Sequence, residues 1–361
     1  MGRPRVAVLF LPDLAGGGAE RVMLHVARLL EAHGGRVVLA LGRNEGPLAP
    51  LVPEGIEVHE LAPDKGVGVR FGLACVRQLG RLLKVLRPAA VLSTLVGGNV
   101  ATFAAARKAG VRVVLREASV YADMAGRPRS WLARAVYPRA DALIAVAPPV
   151  ADDLVRHCRV PRERIRVIPN PVDARAIRVA AEDDGGPDAS AGEVPTVVAA
   201  GRLVPVKGFA SLVRAVGRLR RARDLRLAIL GEGPLRGELE RLGRQELGDG
   251  GLLLPGWVPN PYRWYREAAA VVSTSRWEGC PNVLIEAAVV GARTVAYRRR
   301  DTEWLASLGV PVELVPMGDE EALAAAVDRA MSEPRPPGCR PLPGIFEPEA
   351  VACRYAEVLW G

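Results

Sequence analysis

Short aliphatic runs alternate with stretches of helical period along almost the whole chain, and they do so in two successive series. In the first, "RVAVLFL" is a buried-strand run, "PDLAGGGAE" a loop, and "RVMLHVARLLEAHG" a helix ended by Gly34 and Gly35. The strands "RVVLALG" and "IEVHELA" follow, then a helix over "RFGLACVRQLGRLLKVLRP" stopped by Pro88. The series continues with "AAVLSTL", a helix over "NVATFAAARKAG", the strands "VRVVLRE" and "ALIAVA", and "RIRVIPNPVD". Strands separated by helices of this length predict a parallel sheet covered by helices on both faces. After Asp173 the composition changes: "AEDDGGPDASAGEVP", residues 181–195, is acidic, rich in Gly and Pro, and aperiodic. A second series then begins: "TVVAAG", a helix over "FASLVRAVGRLRRA", "LRLAILG", a helix over "PLRGELERLGRQ", "GLLLPGW", "AAVVSTS", a helix over "PNVLIEAAVVG", and "RTVAY". Two doubly wound α/β domains are expected, joined near residues 173–195 and facing a central cleft at the carboxyl ends of their strands. A length of 361 residues, about twice that of a usual single domain, agrees.

Several classes are argued against. No apolar run approaches the roughly 18 residues of a membrane span. The N-terminus lacks an A-x-A cleavage pattern and reads as a first strand, so a cytoplasmic location is expected. Cys75, Cys158, Cys280, Cys339 and Cys353 are scattered, odd in number and without a C-x-x-C pair, which predicts neither a disulfide framework nor a zinc site. The net charge of +9 is concentrated in residues 1–175, with about 26 Lys/Arg against 15 Asp/Glu. Either this reflects an arginine-rich composition, or the first domain faces an anionic partner such as a membrane surface, a lipid phosphate or a nucleic acid. An aromatic content of 5% and the lack of a reader motif argue against nucleic acid. In the helix over 70–87, Arg77, Arg81 and Lys84 share one side, with Leu79, Leu82, Leu83 and Leu86 largely elsewhere; it either packs on its own sheet or docks peripherally on an anionic membrane.

Four constellations can carry chemistry. "AGGGAERVM" places Gly16, Gly17 and Gly18 between a strand and a helix, where backbone amides favour an anion and glycines permit close approach. An ordinary glycine turn is the alternative. It is neither the dinucleotide fingerprint nor a Walker loop. "AAGRLVPVKGF" puts Arg202 and Lys207 in the corresponding loop of the second domain, either as surface charge or as two cations gripping a diphosphate. "SRWEGCPNVLIEA" sets Glu278 at a strand end, Gly279 and Cys280 in a turn, Pro281 at the first helical position, then Asn282, and Glu286 about a turn and a half along the helix. A carboxylate in that apolar helix requires a partner: a salt-bridged neighbour or the hydroxyls of a ribose. "LREASVYADM" ends a strand with Arg116 and Glu117, as strand-end surface or as part of a reacting centre.

In order and at these spacings, "VIPNPVD", "GRLVPVKGF", "LAILGEGPLRGELE" and "LPGWVPNPYRWYREAAAVVSTSRWEGCPNVLIEAAVVG" resemble the GT-B glycosyltransferases, within them family 4 of retaining, nucleotide-sugar-dependent enzymes. The resemblance spans nearly the whole chain. It implies a first, acceptor-side domain over 1–175 to which a closing helix at about 347–361 returns, a junction over 176–195, and a nucleotide-sugar donor domain over 196–346. It further implies transfer of a sugar from a UDP- or GDP-sugar to an acceptor hydroxyl of a glycan, lipid-linked or small-molecule acceptor, with no metal or other cofactor required. On the family pattern Glu278 and Glu286 are the E-x7-E pair, the first holding donor sugar and the second ribose. Arg202 and Lys207 stabilise the departing diphosphate, and Gly16 to Gly18 form the N-terminal glycine loop. Gly279, Cys280, Pro281 and Asn282 present amides to phosphate. Three departures stand out: "LREAS" replaces a first-domain cleft histidine, leaving Glu117 as the candidate for that place; "RRRDTEWLASLG" has no glycine before Glu303; and Ala270 replaces an acidic residue before the "VVSTS" strand. A catalytically silent sugar-nucleotide-binding partner subunit is the alternative function, and an epimerase or phosphorylase of similar form lacks support in a pyridoxal-lysine signature.

Overall fold

The computed structural model describes residues 5–15, 17–62, 68–119, 128–182, 194–333 and 341–361. These residues divide into two compact units, 1–171 with 345–361, and 172–344.

In the first unit β1 (Val6–Leu11) leads into α1 (Gly18–Ala32), β2 (Arg36–Leu41), β3 (Glu57–Glu60), α2 (Val69–Leu86), β4 (Ala90–Thr94) and α3 (Val96–Ala109). It continues through β5 (Arg112–Glu117), α4 (Pro128–Val136), β6 (Ala142–Ala145), α5 (Pro148–Cys158) and β7 (Ile165–Val167). All seven strands pair in parallel in the order β3-β2-β1-β4-β5-β6-β7, with Val8 opposite both Val38 and Val91. Every residue of β1 is buried, as an apolar strand covered on both faces must be. The chain runs outward from β1 to β3 and then returns to the other side of β1 at β4. The loops after β1 and β4 therefore diverge, and the Gly17–Gly18 turn lies at that switch point.

The helix α2 buries only Cys75, Leu79 and Leu83, and its main packing partner is α3, not the sheet. Arg77, Arg81 and Lys84 remain exposed together with the apolar Val69, Leu73 and Val85.

The second unit opens with α6 (Ala174–Glu182), followed by β8 (Thr196–Ala200), α7 (Phe209–Arg220), β9 (Arg226–Leu230), α8 (Arg236–Leu247), β10 (Leu252–Gly256) and α9 (Tyr262–Glu267). Then come β11 (Ala270–Ser273), α10 (Asn282–Val289), β12 (Thr294–Tyr297), α11 (Arg300–Ser307), β13 (Glu313–Val315) and α12 (Glu320–Ser332). The six strands are parallel in the order β10-β9-β8-β11-β12-β13, which places a second switch point between β8 and β11.

Two boundaries differ from the sequence expectation. Residues 174–182, expected within or beside a junction loop, form α6. Ile177 and Ala181, four apart, are buried there, and α6 packs on α9 and α10. The rest of the acidic stretch, 183–193, lies outside the described residues. Pro281 caps α10 with a non-helical ψ of 84°, so Asn282, not Pro281, is the first helical residue.

The last helix, α13 (Pro348–Trp360), belongs to the first unit and packs against α1 and β4. Val351, Tyr355, Ala356, Val358 and Leu359 enter the same core as Leu9, Leu39 and Leu92. Burial of an amphipathic stripe of this kind, at about 25 cal/mol per Å² of apolar surface, is what holds a 13-residue helix that would be marginal alone.

Candidate functional site

In the second unit, three adjacent strands deliver the candidate residues from their carboxyl ends. After β8 the chain passes Gly201 and Arg202 into a one-turn 3-10 helix, Pro205–Lys207, and Gly208 then caps α7. Gly208 has φ 65°, and a Cβ there would overlap the Thr274 carbonyl. Only glycine lets this loop sit against the end of β11. The Thr274 hydroxyl completes the junction by donating to the Lys207 carbonyl at 2.9 Å.

That approach brings Lys207 to Glu278. The ammonium donates to Glu278 Oε1 at 2.9 Å, and the Ser275 hydroxyl donates to the same oxygen at 2.6 Å. Side-chain exposures of 20% for Lys207 and 18% for Glu278 leave both reachable by a ligand. Burial opposes the charge on Glu278, but the Lys207 and Arg299 charges and the Ser275 and Lys207 hydrogen bonds outweigh it and hold its carboxyl below the usual carboxylate range. Arg202 is exposed, and its guanidinium makes no hydrogen bond or ion pair among the described residues. Gly279 and Cys280 are part of the turn before α10, with Cys280 buried. Glu286 is the fifth residue of α10 and half-buried.

Two residues of this cluster escaped the sequence reading. Arg299, at the end of β12, is buried with a side-chain exposure of 4% and grips Asp301, at 5%, through two bonds, Nε to Oδ1 at 2.9 Å and Nη2 to Oδ2 at 2.7 Å. Its third arm, Nη1, donates to the Ser275 carbonyl at 2.6 Å. The sequence signal is "RRRD" directly after a strand, but a run of arginines reads as solvated charge until its burial is known. Asp301 is pushed up by burial, and the Arg299 fork opposes that shift. Glu303, the acidic residue singled out in that loop, is instead exposed and lies 3.7 Å from Arg298.

In the first unit, Arg116 and Glu117 are both buried, which rules out strand-end surface as their setting. The Glu117 carboxylate is saturated: Oε1 accepts from the Ala118 and Ser119 amides and the Ser119 hydroxyl, and Oε2 accepts from the Tyr137 hydroxyl at 2.7 Å. Burial first, and the Glu117 charge second, push the Tyr137 phenol well above its usual range, so it stays a donor. Arg116 has three neutral acceptors: Tyr355 Oη at 3.0 Å, Thr94 Oγ1 at 3.2 Å and Asn170 Oδ1 at 2.5 Å. Asn99 ties the two systems together, donating to the Arg116 carbonyl and to Tyr137 Oη, both at 3.1 Å.

At the glycine loop, Gly17 caps α1 and Gly18 begins it, while Gly16 lies outside the described residues. Glu20, buried in the first turn, places its carboxylate where a Cβ on Gly17 would be, so this helix start already has an acidic group against it. Among the described residues no group of three or more His, Cys, Asp or Glu is placed to hold a metal ion.

The sequence pattern of Glycosyltransferase Family 4 matches residues 16–176, and that of Glycosyl transferases group 1 matches residues 194–333. The chain belongs to this glycosyltransferase family. It is 33% identical over 199 residues to the lipopolysaccharide core biosynthesis glycosyltransferase LpsD of Rhizobium meliloti, covering 55% of each chain. It is 32% identical over 156 residues to the N-acetylgalactosamine-N,N'-diacetylbacillosaminyl-diphospho-undecaprenol 4-alpha-N-acetylgalactosaminyltransferase of Campylobacter jejuni, covering 43% of this chain and 41% of that one. The matched part thus spans about half the length of these curated relatives. Among solved structures, Anabaena HepE in complex with UDP-glucose is similar with a TM-score of 0.76 at 16% identity, over 98% of this chain and 96% of that one. That likeness establishes the two-sheet GT-B fold. The group 1 match contains Arg202, Lys207, Glu278, Glu286, Arg299 and Asp301, so the whole polar cluster of the second sheet falls within it.

Proposed function

We propose that this glycosyltransferase moves a sugar from a UDP- or GDP-linked donor to an acceptor hydroxyl during synthesis of an envelope polysaccharide, glycolipid or other glycoconjugate, with retention at the anomeric carbon. The observation that carries this reading is the Lys207–Glu278 pair beside exposed Arg202 at the switch point of the second sheet. Two cations and a carboxylate at adjacent strand ends suit a diphosphate joined to a polyhydroxylated sugar.

Lys207 and Arg202 neutralise the charge that grows on the diphosphate as the glycosidic bond breaks, the kind of fixed electrostatic help that works best where water is thin. The ammonium keeps two protons for phosphate oxygens while it donates the third to Glu278. Glu278, held ionised, accepts hydroxyls of the donor sugar, and Glu286 accepts those of the ribose. The amides of Gly279 to Asn282 face phosphate. No step in this scheme calls for a metal. Glu117 spends its carboxylate on the Ala118 and Ser119 amides and the Ser119 and Tyr137 hydroxyls, which suits it to holding the end of β5 in place. The complex of HepE with UDP-glucose and the diphospho-undecaprenol-linked acceptor named for the Campylobacter relative support the donor and acceptor classes.

A panel of UDP-, GDP- and ADP-sugars, followed by ligand NMR without added metal, tests the donor assignment. One nucleotide-sugar is expected to bind and turn over slowly. Glu286→Ala is expected to weaken its binding about ten- to a hundredfold, the equivalent of roughly 1.5–3 kcal/mol for charge-assisted hydrogen bonds to a ribose. If no nucleotide-sugar binds the wild type, the site drawn around Glu278 and Glu286 is wrong.

Peripheral docking on an anionic membrane is the second part of the reading. Besides the basic, partly apolar outer side of α2, Trp131 (72% exposed) and Leu132 (51%) stand out from α4 beside exposed Arg134. Exposed Trp and Leu amid arginines match anionic headgroups over an acyl boundary. No helix among the described residues is long and apolar enough to cross a membrane. Vesicle flotation is expected to recover the protein with anionic but not neutral lipids, with recovery falling severalfold at high salt and in Trp131→Ala/Leu132→Ala. Equal recovery with both lipids removes this part of the proposal.

A further inference from the structure

A buried ion pair is poor evidence for stability, because replacing it with apolar side chains of similar volume is often neutral or favourable. The Arg299–Asp301 pair therefore calls for another reason, and its geometry supplies one. Two arms of the Arg299 guanidinium are fixed by Asp301 and the third by the Ser275 carbonyl, and Ser275 in turn donates its hydroxyl to Glu278 at 2.6 Å. The base of the strut is anchored as well. The Arg299 amide donates to Thr302 Oγ1 at 2.9 Å, and the Thr302 hydroxyl reaches the Tyr297 carbonyl at 3.0 Å, capping α11 against the end of β12. A chain of short contacts thus runs from the rigid β12–α11 corner to the turn that carries Glu278.

We infer that the Arg299–Asp301 pair is a positioning device for Glu278, holding the Ser275–Glu278 turn at the place where its carboxylate meets both Lys207 and the donor sugar. The inference rests on the donor-site reading given above. A planar fork with donors in fixed directions can hold one carboxylate and one carbonyl at once, which the point charge of a lysine cannot. Had the corner needed only to fold, an apolar pair would serve, and no third arm would cross to the neighbouring loop.

The test compares Arg299→Lys and the uncharged double variant Arg299→Gln/Asp301→Asn, which avoids leaving Asp301 buried without a partner. Three readouts are taken: UDP and GDP affinity, kcat with the nucleotide-sugar found by the panel, and the titration of the Glu278 carboxyl by NMR of glutamate-labelled protein, assigned through Glu278→Gln. The double variant is expected to keep nucleotide affinity within about threefold while kcat falls ten- to a hundredfold. Loss of the Arg299 charge pushes the Glu278 titration up and loss of the Asp301 charge opposes it, so the acid limb of kcat/KM moves little and the rate carries the test. Arg299→Lys is expected to leave that limb in place yet still lose kcat, since the charge stays and the third arm goes. A folded double variant with wild-type kcat overturns the inference. Should the double variant fail to fold, Arg299→Lys with an unchanged rate overturns it. If no nucleotide-sugar is turned over by the wild type, the donor reading fails by itself; the chemical shift of the ionised Glu278 carboxyl in Arg299→Lys, where the charge is kept and the third arm is lost, then decides the positioning role, an unchanged shift overturning it and a changed one supporting it.

Discussion

Lys207→Ala is expected to lower sugar transfer by two to three orders of magnitude, mainly in kcat. The size follows from removing one preorganised donor aimed at charge that develops as the diphosphate departs, typically a loss of about 10²- to 10³-fold. The substitution also takes away the strongest favourable partner of Glu278, so burial is less opposed and the carboxyl rises from its depressed value. Activity that needs ionised Glu278 is present above the folded-state pKa and lost as pH falls through it. The acid limb of kcat/KM should therefore move to higher pH in the variant. Initial rates with the identified donor, measured across pH, check both effects. A loss below about fivefold with an unmoved acid limb would place the diphosphate elsewhere, and Arg202→Ala, whose guanidinium has no partner to disturb among the described residues, is the companion measurement.

Tyr355→Ala is the largest expected effect on stability. Tyr355 is fully buried in α13, in the core shared with β1 and β2, and its hydroxyl accepts from Arg116 Nε at 3.0 Å. Truncating a buried aromatic costs about 3–5 kcal/mol, and here a buried guanidinium also loses one of three acceptors. For a unit of this size the midpoint of its thermal transition should fall by about 10 °C, read by calorimetry, with the second unit's transition little changed. Tyr355→Phe separates the two contributions: the ring stays, Arg116 loses one partner, and the loss should be about 1–3 kcal/mol. A Phe variant as unstable as the Ala variant would show that the hydrogen bond, not the packing, fixes α13.

How much was readable differs from element to element. The strands were legible because a strand buried on both faces must be an unbroken apolar run, and "RVAVLFL", "AAVLSTL" and "AAVVSTS" can be little else. The long helices α1, α2, α7 and α8 announced themselves through their period. Helices such as α6 and α9 did not: nine and six residues hold too few turns for a periodic signal, and their burial comes from packing on each other and on α10. In the site, Lys207 and Glu278 were found because each follows a strand beside a glycine turn. Arg299 and Asp301 were not, since charges cluster on surfaces far more often than in interiors.

The sequence by itself determined that this chain forms two parallel α/β sheets, and that its cations and carboxylates fall in the loops after the second series of strands, because both follow from local pattern. Only the tertiary structure decided which of those charges meet. Strand order sets β11 between β8 and β12, and that neighbourhood brings Lys207, Glu278 and Arg299 together from positions up to 92 residues apart in the chain. It also decided that Arg116, which the chain presents as one more arginine, is wholly buried and holds both Asn170 and the last helix. Pairing across a sheet depends on contacts distant in sequence, and no local pattern encodes them.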